Sequence, residues 1–151
     1  MGGVPAARLD DQLCFALYTA SRTVTAVYRP VLDELGITYP QYLVLLVLWE
    51  DGRCSVGHLG ERLHLDSGTL SPLLKRLEAV GLVERRRSLE DERRVDVALT
   101  PAGEELEARA ACVPERLLAM GEASADDLAV LRDALKTLTQ QLDSLSRKDA
   151  T

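Results

Sequence analysis

Residues 55–99 hold the pattern that most narrows the fold. Ser55 precedes a short run, Val56 to Leu63, and Asp66 precedes a longer one that stops at Gly81. Each is a small polar residue whose side chain can accept the first free N–H groups of a helix. The tight His64-Leu65 turn between the runs makes a helix-turn-helix, with Lys75 and Arg76 on its second helix. Directly afterwards come Leu82–Arg86 and Val95–Leu99. The second of these alternates apolar and polar residues, as a half-buried strand does, and the stretch between them, Arg87–Arg94, is charged. The pattern predicts a β-hairpin with a charged tip, a wing, beside the helix pair. Pro72 falls beyond the first turn of the second helix, so a distortion or a later regular start is expected there.

The rest of the chain reads as helix. Leu13, Ala16, Leu17, Ala20, Val24, Val27, Val31 and Leu35 recur at three- and four-residue steps. Asp10 or Asp11 is the expected cap, Pro30 an expected kink and Gly36 the stop. A second helix starts near Pro40 with Thr38 as cap and runs to Glu50, where Asp51-Gly52 ends it. Thr100-Pro101 opens another, reaching about Met120 with a kink at Pro114. Ser124 caps the last, in which Leu128, Leu131, Leu135, Leu138, Leu142 and Leu145 form a heptad seam. Residues 1–8 are expected to fray. The fold class is mainly α with a small β-wing. Residues 1–151 form one domain: a winged helix-turn-helix at 55–100, and helices at 9–50 and 101–146 that pack against a second copy as a two-fold homodimer.

Composition removes several function classes. No apolar run can span a membrane and no signal-peptide pattern precedes Asp10, so a cytoplasmic protein is expected, with no membrane partner. The three cysteines, Cys14, Cys54 and Cys112, are too few and too far apart for a disulfide framework. With His58 and His64 they make no zinc pattern, so neither a metal nor a cofactor is expected. No phosphate loop, nucleophile elbow or HExxH motif occurs, which argues against an enzyme. The net charge of −6 speaks against nucleic acid until its distribution is considered. Residues 75–94 carry seven basic and five acidic side chains, and local field matters more than the sum. The second helix would place Ser67, Thr69 and Ser71 nearest the base edges of a major groove, with Lys75 and Arg76 further along. Arg86, Arg93 and Arg94 would bring the wing to phosphates or the minor groove, Asp91 orienting Arg93 by a charge-assisted hydrogen bond. Double-stranded DNA with a pseudo-palindromic site is the expected partner.

The stretch LGERLHLDSGTLSPLLKRLEAVGLVERRRSLEDERRVDVALTPAG, residues 59–103, resembles the winged helix of the MarR family of transcriptional regulators. Its Asp91-Glu92-Arg93 matches the family's wing motif. Residues 9–50, with LCFALY, YRP and TYPQYLV, resemble more narrowly the organic hydroperoxide resistance regulators. The resemblance covers nearly the whole chain from Leu9. It implies a dimer with two winged lobes, a repressor whose N-terminal cysteine is oxidised by organic hydroperoxide, and loss of DNA affinity on oxidation.

Cys14 is the redox-sensing residue that this resemblance implies. A peroxide sensor needs an accessible thiolate, which hydroxyl donors and a helix N-terminus both favour. Tyr18 lies one turn along the same helix face. Tyr28 and Tyr39 match the family's thiol-contacting tyrosines. Tyr28 is about 21 Å from Cys14 along a straight helix, so only the partner subunit can bring the two together. The resolving cysteine of two-cysteine members aligns with Ala119. Cys112, two turns earlier, is the candidate here, with a low-molecular-weight thiol as the other. Cys54 reads as structural or incidental.

Three other readings remain open: a regulator released by a small aromatic ligand, a thiol peroxidase, and an architectural DNA-binding protein. The peroxidase lacks any βαβ pattern or CxxC to stand on.

Overall fold

The computed structural model describes residues 7–119 and 121–148. Residues 1–6, most of the stretch expected to fray, and Met120, the expected end of the helix opening at Pro101, lie outside them. The helices are α1 (Leu13–Asp33), α2 (Tyr39–Asp51), α3 (Val56–Leu63), α4 (Ser67–Ala79), α5 (Pro101–Ala110), α6 (Val113–Leu118) and α7 (Ala125–Lys148). The strands β1 (Cys54–Ser55), β2 (Val83–Arg87) and β3 (Val95–Leu99) form one antiparallel sheet in the order β1-β3-β2. The chain divides into two units, one ending at Val113 and one beginning at Pro114.

In the first unit the core is aliphatic, because the sequence offers only 4% aromatic residues. Val44, Leu45 and Leu48 of α2 meet Leu32 of α1, Leu59 of α3, Leu70, Leu74 and Leu77 of α4, and Val83 and Val97 of the sheet. The starts of α2, α3, α4 and α5 follow the expected caps. Thr38 and Gln41 form a reciprocal capping box, the Gln41 N–H donating to Thr38 Oγ1 (3.4 Å) and the Thr38 N–H to Gln41 Oε1 (2.9 Å). Ser55, Asp66 and Thr100 each accept the N–H three residues on, from His58, Thr69 and Gly103. Gly81, at φ 79°, supplies the left-handed turn that ends the α4 region and admits the wing.

Several expectations are corrected. A 3₁₀ turn, Leu9–Asp11, precedes α1 and uses the N–H groups of Asp11 and Gln12, so α1 starts after it. Its cap is therefore Gln12, without a side-chain bond, and neither Asp10 nor Asp11 caps it. Pro72 neither distorts nor delays α4, which is helical from Ser67. The carbonyl that Pro72 leaves without a donor belongs to Gly68, which is exposed to solvent in the first turn. Pro114 marks a break rather than a kink: α5 ends at Ala110 and α6 begins at Val113, with Pro114 second, where its missing N–H costs no bond. Strand β1 was not foreseen.

In the second unit Ser124 caps α7, its Oγ accepting the Asp127 N–H at 3.1 Å and donating to Asp127 Oδ2 at 2.7 Å. Along the heptad seam Leu128, Leu131, Leu142 and Leu145 are exposed, and Leu135 and Leu138 are half-buried. Among the described residues no helix is long and apolar enough to cross a membrane.

Gly103 is where α5 lies closest to the wing. Trp49 Nε1 donates to its carbonyl at 3.0 Å, and a Cβ there would collide with the Leu82 carbonyl oxygen and press on Leu99 Cδ2. Backbone cannot move aside as a side chain can. Gly103→Ala is expected to cost about 3 kcal/mol or more in urea unfolding; a loss under about 0.5 kcal/mol would show that the approach is not tight.

Candidate nucleic-acid groove and thiol region

Burial orients α4. Leu70, Leu73, Leu74 and Leu77 face the core, which turns Ser67, Ser71 and Lys75, spaced four apart, outward in one row. Thr69 and Arg76 are exposed as well, on the other flank of the helix. The wing is fixed against this helix by one interaction. Arg85 of β2 donates from Nε (3.1 Å) and Nη2 (2.9 Å) to Glu78 Oε2, and its main-chain N–H reaches Oε1 at 3.3 Å. The same hydrogen bonds hold the Glu78 carboxyl below its ordinary pKa. Between α4 and the wing lies an open groove of about 690 Å³, into which Ser67, Ser71, Arg93 and Arg94 face, with the start of α3 at its floor.

The wing tip is held by its own main chain. The Ser88 N–H donates to the Arg94 carbonyl (2.8 Å), the Arg94 N–H to the Asp91 carbonyl (2.9 Å), and the Glu90 N–H to Ser88 Oγ (3.2 Å). Asp91 Oδ1 accepts the backbone N–H of Arg93 at 3.0 Å, so this carboxylate places Arg93 through the turn rather than by pairing with its guanidinium. Arg86 pairs with Glu84 (3.2 Å). Among the described residues Lys75, Arg76, Arg87 and Arg93 make no ion pair, leaving an exposed cationic rim on an acidic chain. Sequence reasoning missed the Glu78–Arg85 clamp and the pairing of Asp96 with Arg53 and Arg94 (3.5 and 3.8 Å). The alternating pattern of β3 marked Asp96 only as a polar position.

Cys14 is exposed on the first turn of α1. Tyr18, one turn on, is exposed and carries the Arg22 guanidinium 5.5 Å over its ring; among the described residues no hydrogen bond joins it to Cys14. Tyr28 and Tyr39 come together, ring centroids 4.9 Å apart, and Tyr42 joins them at 6.3 and 6.5 Å. The structure thus pairs two of the three expected tyrosines, at the far end of α1 from the Cys14 of the same chain. Burial, then the neighbouring Tyr39 and Tyr42, push the Tyr28 phenol up to about 12. Cys112 is exposed in the turn after α5, its Sγ donating to the Arg109 carbonyl at 3.4 Å, and burial, then Tyr39 and Cys112, push the Tyr42 phenol up. Cys54 is half-buried in β1, and burial with the nearby Asp51 and Asp96 pushes its thiol up. Among the described residues no cluster of His, Cys, Asp and Glu suits a metal ion.

A family profile described as transcriptional regulator SarA/Rot matches residues 26–109. The chain is 50% identical over 135 residues to the organic hydroperoxide resistance transcriptional regulator of Bacillus subtilis, covering 89% of this chain and 92% of that protein. Among solved structures it is similar to reduced AbfR bound to DNA, with a TM-score of 0.75 and 36% identity over 89% of this chain and 95% of the other. Overoxidized AbfR bound to DNA gives a TM-score of 0.75, 37% identity and the same coverage.

The start of α4 has a pH signature. The Thr69 N–H and hydroxyl hydrogen bonds lower the Asp66 carboxyl below its ordinary value. A depressed carboxylate lends stability that is complete above its unfolded pKa, about 4, and lost as pH falls through the folded value. Asp66→Asn, which caps without titrating, is expected to keep the neutral-pH melting temperature within a few degrees and to lose less of it below about pH 4. Identical acid limbs for variant and parent in thermal melts would remove Asp66 from the account.

Proposed function

The chain belongs to the MarR-type winged-helix transcriptional regulators, in the branch of the organic hydroperoxide resistance regulators, and from that footing we propose that it is a DNA-binding repressor, a two-fold homodimer released from a pseudo-palindromic operator when organic hydroperoxide oxidises Cys14. The family is one of regulators and not of enzymes, so peroxide is read rather than turned over.

The observation that carries the reading is the groove: a row of short polar side chains on α4 facing arginines held by an ordered wing. In this reading α4 enters the major groove, with Ser67, Thr69 and Ser71 at base edges and Lys75, Arg76, Arg86 and Arg94 on phosphates. Arg93, set by Asp91, enters the minor groove. The lobe at 55–100 binds DNA, and the helices within 9–50 and 101–146 form the dimer. Leu13, Phe15, Tyr18 and Val24 of α1 and Leu128, Leu131, Leu142 and Leu145 of α7 stand exposed in the single chain, and each large side chain buried by a second copy is worth about 1.5–3 kcal/mol.

The thiol half rests on Cys14 and the tyrosines. The Cys14 thiolate attacks the outer peroxide oxygen; the S–O bond forms, the O–O bond breaks, and the alkoxide leaves and takes a proton. Tyr18 of the same chain and Tyr28 and Tyr39 of the partner subunit steady the thiolate. A phenol pushed up to about 12 keeps its proton at neutral pH and so remains a donor. The sulfenic acid then condenses with a second thiol, forming a disulfide and releasing water. Cys112, on the side of Tyr42, and a low-molecular-weight thiol are the two candidates. The bulkier polar group at the dimer interface shifts the lobes and mis-spaces the two α4 helices.

The test is a gel shift at fixed salt on a duplex from the region upstream of the chain's own gene, before and after cumene hydroperoxide and then dithiothreitol. Reversible loss of binding, absent in Cys14→Ser, is expected. Binding that peroxide leaves intact in the parent would discard the thiol switch and turn attention to a small aromatic ligand. Leu131→Asp with Leu138→Asp is expected to yield monomers in sedimentation and at least about tenfold weaker operator binding; an intact dimer would remove α7 from the interface.

A further inference from the structure

Asp96 Oδ1 is, among the described residues, a buried polar side-chain atom with no hydrogen-bond partner. Asp96 is the second residue of β3, the central strand, in register between Ser55 of β1 and Arg86 of β2, and its side chain is only 18% exposed. A carboxylate so placed is costly unless cations face it. Two do. Arg53 Nε lies 3.5 Å from Oδ2, and Arg94 Nε lies 3.8 Å from Oδ1.

Both arginines meet the carboxylate through Nε, the inner nitrogen of the guanidinium. Their outer nitrogens carry four of the five N–H donors, and the two side chains are 50% and 56% exposed. Arg94 also lines the groove between α4 and the wing, and the wing tip fixes its main chain at both N–H and carbonyl. A guanidinium can serve two anions on different edges, so a phosphate taken by the outer nitrogens need not displace Asp96. Two arginines against one carboxylate leave the triad with net positive charge, so the carboxylate does not turn the site against an anion.

We propose that Asp96 is a positioning residue for DNA: it aims the outer nitrogens of Arg94 at a backbone phosphate at the groove mouth, while Arg53 balances its other oxygen. The inference rests on the DNA-binding reading above. It makes a prediction opposite in sign to bulk electrostatics. Removing a negative charge beside DNA ordinarily tightens binding. Loss of a positioning carboxylate weakens it.

The experiment measures fluorescence anisotropy of the upstream duplex across a salt series, with the reduced full-length chain and the variants Asp96→Asn, Arg94→Ala and both together. Asp96→Asn is expected to bind about five- to tenfold more weakly, with a salt slope shallower by about one, and to add little to Arg94→Ala. Damage to the fold would instead add to the Arg94→Ala loss, which separates it from positioning and would overturn the proposal. Asp96→Asn binding as tightly as the parent, or tighter, overturns it too. A parent chain that binds no duplex overturns the DNA-binding reading itself and this inference with it.

Discussion

Helix α2 has almost no free face, and the winged lobe depends on that. Gln41, Tyr42, Val44, Leu45, Val47 and Leu48 are all buried, and α1, α3, α4, α5 and β3 each pack against this one helix. A helix buried over most of its circumference, with Leu43 and Leu46 on the side left open, has little polar stripe with which to choose its orientation. The choice is made at its ends, by the Thr38–Gln41 capping box and by Gly52 at φ 73°. With α2 so fixed, the leucines of α4 have a surface to bury against, and burying them decides which way Ser67 and Ser71 look. The position of the polar groove is thus a consequence of apolar packing on the opposite side of the same helix.

What could be read from the sequence is what is local. Thr38, Ser55, Asp66, Thr100 and Ser124 each act on an N–H three residues away, so their capping was visible without any fold. The second strand of the wing declared itself by alternation, and the hairpin pairs residue by residue from Val83↔Leu99 to Arg87↔Val95. Strand β1 was invisible because two residues carry no period; Cys54 and Ser55 become a strand only when Val97 and Asp96 arrive beside them. Asp96 was legible as a polar position in a half-buried strand, but its ion partner Arg53 lies far away in sequence. Pro114 fitted a kink and a break equally well, since proline is as comfortable at the start of a helix as it is disruptive within one.

The candidate thiol region divides in the same way. Cys14 and Tyr18 lie a turn apart on one helix and could be paired on paper. Tyr28 and Tyr39 belong to different helices and meet only through the α1–α2 packing, where Tyr42, unremarked in the sequence, completes the cluster. Charge behaves likewise. The chain's net −6 is a sum over distant segments, whereas the groove gathers Arg85, Arg93 and Arg94, which only the folded hairpin brings opposite α4.

The Arg85–Glu78 clamp has a mechanical consequence. Because it joins the wing to α4 by three hydrogen bonds, the two elements that the proposed function turns toward DNA are braced against each other as one jaw. In the proposed homodimer, the quantity left to adjust is the gauge between one such jaw and its twin. Since B-DNA presents the same groove face once per turn, about every 34 Å, a pair of stiff jaws behaves as a caliper set to one reading, and a small change in gauge puts it out of phase with the duplex.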